Sequence, residues 1–151
     1  MKQIFAILFL IVCAISAQAQ SSLTGLDDIM KNKVGAPFKI VFLHVIKQGQ
    51  IDPAGSTLQA AQAAYVGLQE GATKAPSQYL DLNGQLKDEA SKGAFRSYQK
   101  AMQGVIVEMA RLVEILSDKT IDEATRLAAA KAQVQVIVRA QKQGHEDHKE
   151  E

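Results

Sequence analysis

Apolar residues recur along this chain at the three- and four-residue spacing of helix faces, and no run alternates convincingly with period two. The clearest stripe is Phe95, Tyr98, Met102, Val105, Met109, Leu112 and Leu116. Its 3-4-3-4-3-4 spacing predicts a helix from near Ser91 to near Ser117 that packs against neighbours in a bundle. A second helix is predicted from Ser56, read as its N-cap, to about Glu70, on Leu58, Ala61, Tyr65 and Leu68, with Gly71 as the stop. Its Ala-rich inner face permits close approach of a neighbour. The first helix carries Leu23, Leu26, Met30, Val34, Phe38, Val41 and Val45, ends near Gln48-Gly49, and is expected to kink at Gly35-Ala36-Pro37. The last follows Asp118-Lys119-Thr120, with Thr120 as N-cap and Glu123 completing a capping box. Its stripe is Ala124, Leu127, Lys131, Val134, Val138, Gln141, His145 and His148, which turns polar towards its end.

Two connections, Gln50 to Gly55 and Asp118 to Thr120, are short, and short links favour antiparallel neighbours. The expected fold is therefore all-α: an antiparallel four-helix bundle, up-down-up-down. The stretch from Ala72 to Ala90, with Pro76 and Gly84, reads as a long crossover or as a loop with a short extra turn, and the charged run after His145 as a fraying tail.

The start of the chain belongs to targeting rather than to the fold. Lys2, the apolar run Ile4 to Ile15 and the small-residue site Ala17-Gln18-Ala19 have the form of a secretory signal peptide. Residues 1–19 are expected to be cleaved, leaving 20–151 as a single domain exported to the periplasm. The apolar run is too short to cross a bilayer and no later stretch is a better candidate, so no membrane insertion is expected after cleavage. Cys13, the only cysteine, leaves with the signal, and with it any disulfide, thiolate metal site or thiol nucleophile. Val12 stands where a lipoprotein signal needs a small residue.

Charge narrows the choice further. The 17 basic and 16 acidic residues give a net charge of +1, and losing Lys2 brings the mature chain to balance, which argues against nucleic acid as a partner. No G-x-S-x-G, H-E-x-x-H, P-loop or dinucleotide fingerprint occurs, nor the Glu-x-x-His of di-iron bundles, so no enzyme is expected.

In an up-down-up-down bundle the start of the first helix and the end of the fourth share one end, which places Met30 near His145. A thioether and an imidazole facing each other are an axial pair for haem iron, and this ligation raises the reduction potential. Core packing is the commoner role of a methionine such as Met30, and solvation that of a near-terminal histidine. Gly144, just before the charged tail, has a second role open to it as a helix C-cap. His145 and His148 lie one turn apart and could share a divalent ion with Glu146 or Asp147; His148 is the alternative to His145 as proximal ligand. His44 lies about 21 Å along the helix from Met30, too far to join it, and reads as a core or rim histidine. Lys31 and Lys33, flanking Met30, read as solvated.

Taken together, Leu26-Asp27-Asp28-Ile29-Met30, Lys74 to Pro76, Phe95-x-x-Tyr98-x-x-x-Met102 and the closing Gly144-His145-Glu146-Asp147-His148-Lys149 resemble the four-helix-bundle cytochromes. That superfamily includes the class II c-type group with cytochrome c-prime and a soluble periplasmic b-type relative. The resemblance implies Met30 as the distal and His145 as the proximal ligand. The c-type members tether haem through Cys-x-x-Cys-His, and here the cysteine positions are Gln141 and Gly144, so no covalent attachment can form. What the resemblance implies is a periplasmic electron-transfer protein holding haem b non-covalently between its first and last helices. Its redox partner is unspecified, and related bundles often form a homodimer through the first two helices. Without Met30 ligation the iron would be five-coordinate and open to a gas. The competing expectation is a haem-free bundle acting as a periplasmic metal-binding or protein-interaction module.

Overall fold

The computed structural model describes residues 25–147, with side chains as far as Gln143. The signal-peptide segment 1–19 and His148 lie outside the described residues. Four helices pack against one another, and among the described residues there is no strand beyond an isolated bridge between Leu80 and Leu86.

The first helix, α1, spans 26–48 and changes winding along its length. It is α-helical at Leu26–Asp28, π-helical at Ile29–Gly35, α-helical at Ala36–Phe42 and π-helical again at Leu43–Gln48. The kink expected at Gly35-Ala36-Pro37 takes this form. Pro37 has no N–H for the Lys33 carbonyl and its ring crowds that carbonyl, so the preceding turns widen, and the Ala36 N–H reaches back five residues to Lys31. The wider turn moves the buried face. Ile29 and Val34, five apart, are buried, whereas the 3.6-residue period had put Met30 on the buried stripe; Met30 is only half-buried. Gly49, at φ 66°, ends the helix, and the Gln50 N–H caps the His44 carbonyl at 3.1 Å.

The second helix, α2, is Ser56–Ala72. Ser56 is its first turn rather than its N-cap; Gly55, at φ 87°, occupies the cap, and the Ser56 hydroxyl is drawn back to Asp52. Gly71 does not stop this helix but lies within it, buried. The inner face is made of small residues, with Ala60, Ala61, Ala64, Gly67, Leu68 and Gly71 buried. The expected close approach is realised at Gly67, where an added Cβ would stand 2.4 Å from the Lys33 carbonyl oxygen. That is the carbonyl to which Pro37, four residues on, has no N–H to offer.

The long connection is a loop with a short turn, not a crossover. A 3-10 turn at Ser77–Tyr79 precedes a small hairpin closed by Asp81 N–H to Gln85 O and Lys87 N–H to Tyr79 O. The third helix, α3, is Glu89–Ser117, capped by Asp88, whose carboxylate accepts the Ser91 N–H at 2.7 Å. The fourth, α4, is Glu123–Asp147. Its cap is Asp122, accepting from Thr125 N–H at 2.9 Å, while Thr120, the expected cap, is turned back onto Asp118. Asp122 wins because a carboxylate at that position reaches two Thr125 donors at once.

α1 packs on α2, α2 on α3 and α3 on α4, and α4 meets α1 along Leu43–Gln48. The core is built from Val34, Phe38, Val41 and Val45 of α1, the small face and Leu68 of α2, Met102 to Leu116 of α3, and Ala130, Val134 and Ile137 of α4. On α4 the buried line runs through Ala130 and Ile137 rather than Lys131 and Val138, the last being 40% exposed.

Candidate functional site

Burial along α3 changes abruptly at Met102. Six residues from Met102 to Leu116 are buried, while Phe95 and Tyr98, on the same stripe, remain half-buried. Their rings stack with centroids 6.1 Å apart at 18°. Burial, and secondly the neighbouring Tyr79, pushes the Tyr98 phenol up to about 12. Its hydroxyl lies 3.5 Å from the Gly71 carbonyl, and Gln99 donates to the Ala72 carbonyl at 3.2 Å, so the last turn of α2 is held to the first turns of α3.

Met30 reaches this place from α1. Its sulfur lies 3.2 Å from the point where a Cβ on Gly71 would stand; Met102 Cε is 3.5 Å and Leu26 Cδ1 3.6 Å from the same point. The structure thus gathers Leu26, Met30, Gly71, Tyr98 and Met102 into one apolar corner. Lys33, one turn on, pairs with Glu70 at 2.7 Å. Lys31 is exposed, as expected.

The other expected ligand sits on α4. Helical backbone continues through Gly144 to Asp147, so Gly144 is not the C-cap and His145 belongs to a helix rather than to a tail. The side chains of Gly144 to Asp147 lie outside the described residues, as does all of His148. Met30 and His145 are not brought into contact by anything described: the main contact of α4 with α1 is at Leu43–Gln48, and Lys131 Nζ approaches Gly49 just beyond it. Among the described residues no three His, Cys, Asp or Glu side chains converge as a metal site.

A polar cluster that the sequence reading missed closes the α1–α2 turn. His44 Nδ1 and Thr57 Oγ1 share a 2.8 Å hydrogen bond, and the Asp52 N–H donates to the same hydroxyl at 3.0 Å. Thr57 is the buried polar residue among those described. The Asp52 carboxylate accepts from the Ser56 hydroxyl, the Ala54 N–H at 3.0 Å and the Ser56 N–H at 3.3 Å. These bonds, the Ser56 hydroxyl first, hold the Asp52 carboxyl below its usual range. These bonds tie the loop between α1 and α2 to the first turn of α2. Asp52-Pro53-Ala54-Gly55-Ser56 is the signal that could have found it, an Asx-type turn ahead of a helix. His44 is thus a rim histidine, as expected.

A shallow groove of about 490 Å³ lies between α1 and α2, lined by Asn32, Lys33, Pro37, Gln62, Ala63 and Val66, with Gly67 at its floor. No described helix is long and apolar enough to cross a membrane. Compared with known proteins, the chain matches no family model, no curated protein and no solved structure.

Proposed function

We propose that this chain is an exported haem-binding electron-transfer protein, with haem b held without covalent attachment at the Met30 end of an up-down-up-down bundle. The observation that carries the reading is the corner around Met30: Met30, Phe95 and Tyr98 are large side chains left half-covered together, with the Met30 sulfur beside Gly71, Met102 and Leu26. Apolar surface left half-wet costs stability that an inserted apolar disc would recover.

The direction of the helices supports the placement. Lys33 meets Glu70, Tyr98 meets Gly71, and Gln133 of α4 donates to the Glu108 carbonyl at 2.9 Å. Arg126 likewise reaches the Asp118 carbonyl at 2.9 Å. Continued at 1.5 Å per residue, α4 would bring position 145 level with the first turns of α3, near the corner that holds Met30. In register, His145 falls eleven residues after the buried Val134, three turns to within about 20°.

The donor chemistry fits the group, since thioether and imidazole are both haem-iron ligands. Met30 and His145 would hold it from α1 and α4, and Phe95, Tyr98, Leu26 and Met102 would exclude water from it. When bound, haem supplies one-electron chemistry at its iron. Titrating the purified mature chain with hemin is expected to give a sharp Soret band, with resolved alpha and beta bands on reduction. His145→Ala should remove them. A chain that stays colourless under excess hemin overturns the reading.

The second reading, a haem-free interaction module, draws on a different surface. Val66 of α2 is 59% exposed beside the α1–α2 groove. Hemin-independent capture of a partner, lost in Val66→Glu and unaffected by His145→Ala, would move the assignment there.

A further inference from the structure

We propose that Gly71 is a positioning residue for the Met30 thioether: the missing side chain at 71 is the seat in which the sulfur rests. Gly71 is buried in the last turns of α2, its carbonyl lies against the Tyr98 hydroxyl, and its α-carbon faces α1 and α3 together. Nothing in the backbone demands glycine there, because Gly71 does not have positive φ. In a helix interior, glycine costs about 0.5–1 kcal/mol relative to alanine. The space is what it provides. An added Cβ would meet the Met30 sulfur at 3.2 Å, inside ordinary van der Waals distance, with the Met102 methyl at 3.5 Å and the Leu26 methyl at 3.6 Å closing the other sides. A side chain at 71 would therefore press on the sulfur and displace it from this seat.

The consequence for ligation rests on the haem reading above: displacing the sulfur from its seat would weaken its hold on the iron of a bound haem. The consequence for the sulfur itself does not depend on haem. Two measurements on the mature chain keep these apart.

In the haem-free protein, Met30 oxidation by dilute hydrogen peroxide is followed by peptide mass spectrometry for wild type, Gly71→Ala and Gly71→Val. Oxidation follows sulfur exposure, so the rate at Met30 is expected to rise in the order Gly, Ala, Val, by about threefold or more for Val, with Met109 as the buried internal standard. An unchanged Met30 rate overturns the proposal whether or not haem binds. Unfolding midpoints of the three proteins separate displacement from loosening, because a general loosening would raise oxidation of Met109 as well.

In the hemin-loaded protein, the same series should lose six-coordinate, low-spin character progressively and converge on the spectrum of Met30→Leu, while the Soret band stays dependent on His145. A Gly71→Val spectrum equal to wild type, with Met30→Leu high-spin, sinks the proposal and leaves the haem reading intact. Absence of hemin uptake by wild type sinks the haem reading, and the peroxide series then decides the role of Gly71 alone.

Discussion

Glycines that look alike in the sequence differ by what surrounds a single missing methyl group. At Gly67 an added Cβ would stand 2.4 Å from the Lys33 carbonyl oxygen and 2.7 Å from its carbon, both backbone atoms that cannot step aside. Gly67→Ala is therefore expected to force α1 and α2 apart and to cost about 1–3 kcal/mol or more. At Gly104, within α3, nothing lies within 4 Å of the added carbon. There the same substitution only removes backbone entropy from the unfolded chain, and should stabilise by about 0.5–1 kcal/mol. Urea unfolding of the two variants checks both signs, and equal effects would show that the α1–α2 contact is not made. Tyr98 offers a residue-scale test of burial. Its phenol, ordinarily near 10, is pushed up to about 12 by burial. The folded chain thus keeps its proton where the unfolded chain gives it up. Stability from this group is complete below pH 10 and drains away as the pH climbs through 12. Tyr98→Phe should flatten the fall of Tm across that interval, and absorbance titration at alkaline pH should lose its highest-pH tyrosine.

At the scale of elements, existence and type were legible and the ends were not. The 3-4 stripe of α3 came through from Met102 to Leu116 because every third or fourth residue there is large and apolar. The caps were misplaced for a common reason. Ser56 and Thr120 are good cap residues, but each stands within four residues of an aspartate, Asp52 and Asp118, and donating its hydroxyl to that carboxylate turns the side chain back from the N–H groups of its helix. The winning caps, Asp88 and Asp122, are charged and face the positive end of their helices. Their carboxyls sit below the usual range, through the bonds to Ser91 and Thr125 respectively. The depressed values mean that the caps support folding above the ordinary carboxyl range and lose that support as pH falls through their folded values. Asp88→Ala and Asp122→Ala should lower Tm at neutral pH and raise amide exchange at Ser91 and Thr125, with little further loss on acidification. The winding of α1 was the harder case. Pro37 signalled a disturbance, but the period used to read the stripe assumed 3.6 residues per turn. The π-helical Ile29–Gly35 breaks that assumption and sends Ile29, not Met30, fully inside.

At the scale of the whole molecule, the turns between helices and the Met30 corner are built differently. The turns are held by hydrogen bonds: Thr57 is buried under the α1–α2 turn, and Asp118 and Asp122 tie the α3–α4 turn into α4. The Met30 corner is held by packing, with Met30, Phe95 and Tyr98 half-buried beside the buried Ile29 and the last turn of α2 held by two side chains of α3. The candidate site was legible as residue types, Met30 and His145, but not as surroundings, because the seat at Gly71 and the company of Met102 come from elements far apart in sequence. Opening free energies follow local burial. Amide exchange should therefore be slowest in α3 from Met102 to Leu116 and in the turns that face it, and faster by about tenfold or more before Met102, where no residue of the helix is buried. A ligand bound at the Met30 corner stabilises what it touches and leaves the α1–α2 turn nearly unchanged, since its binding energy enters only openings that expel it. Hemin is accordingly expected to slow exchange in the first turns of α1 and α3 and the last turns of α2 and α4, with Val45, Thr57 and Leu116 unmoved. Uniform protection of the whole chain would place binding on global unfolding alone, and protection confined to the α1–α2 groove would transfer the site to Val66.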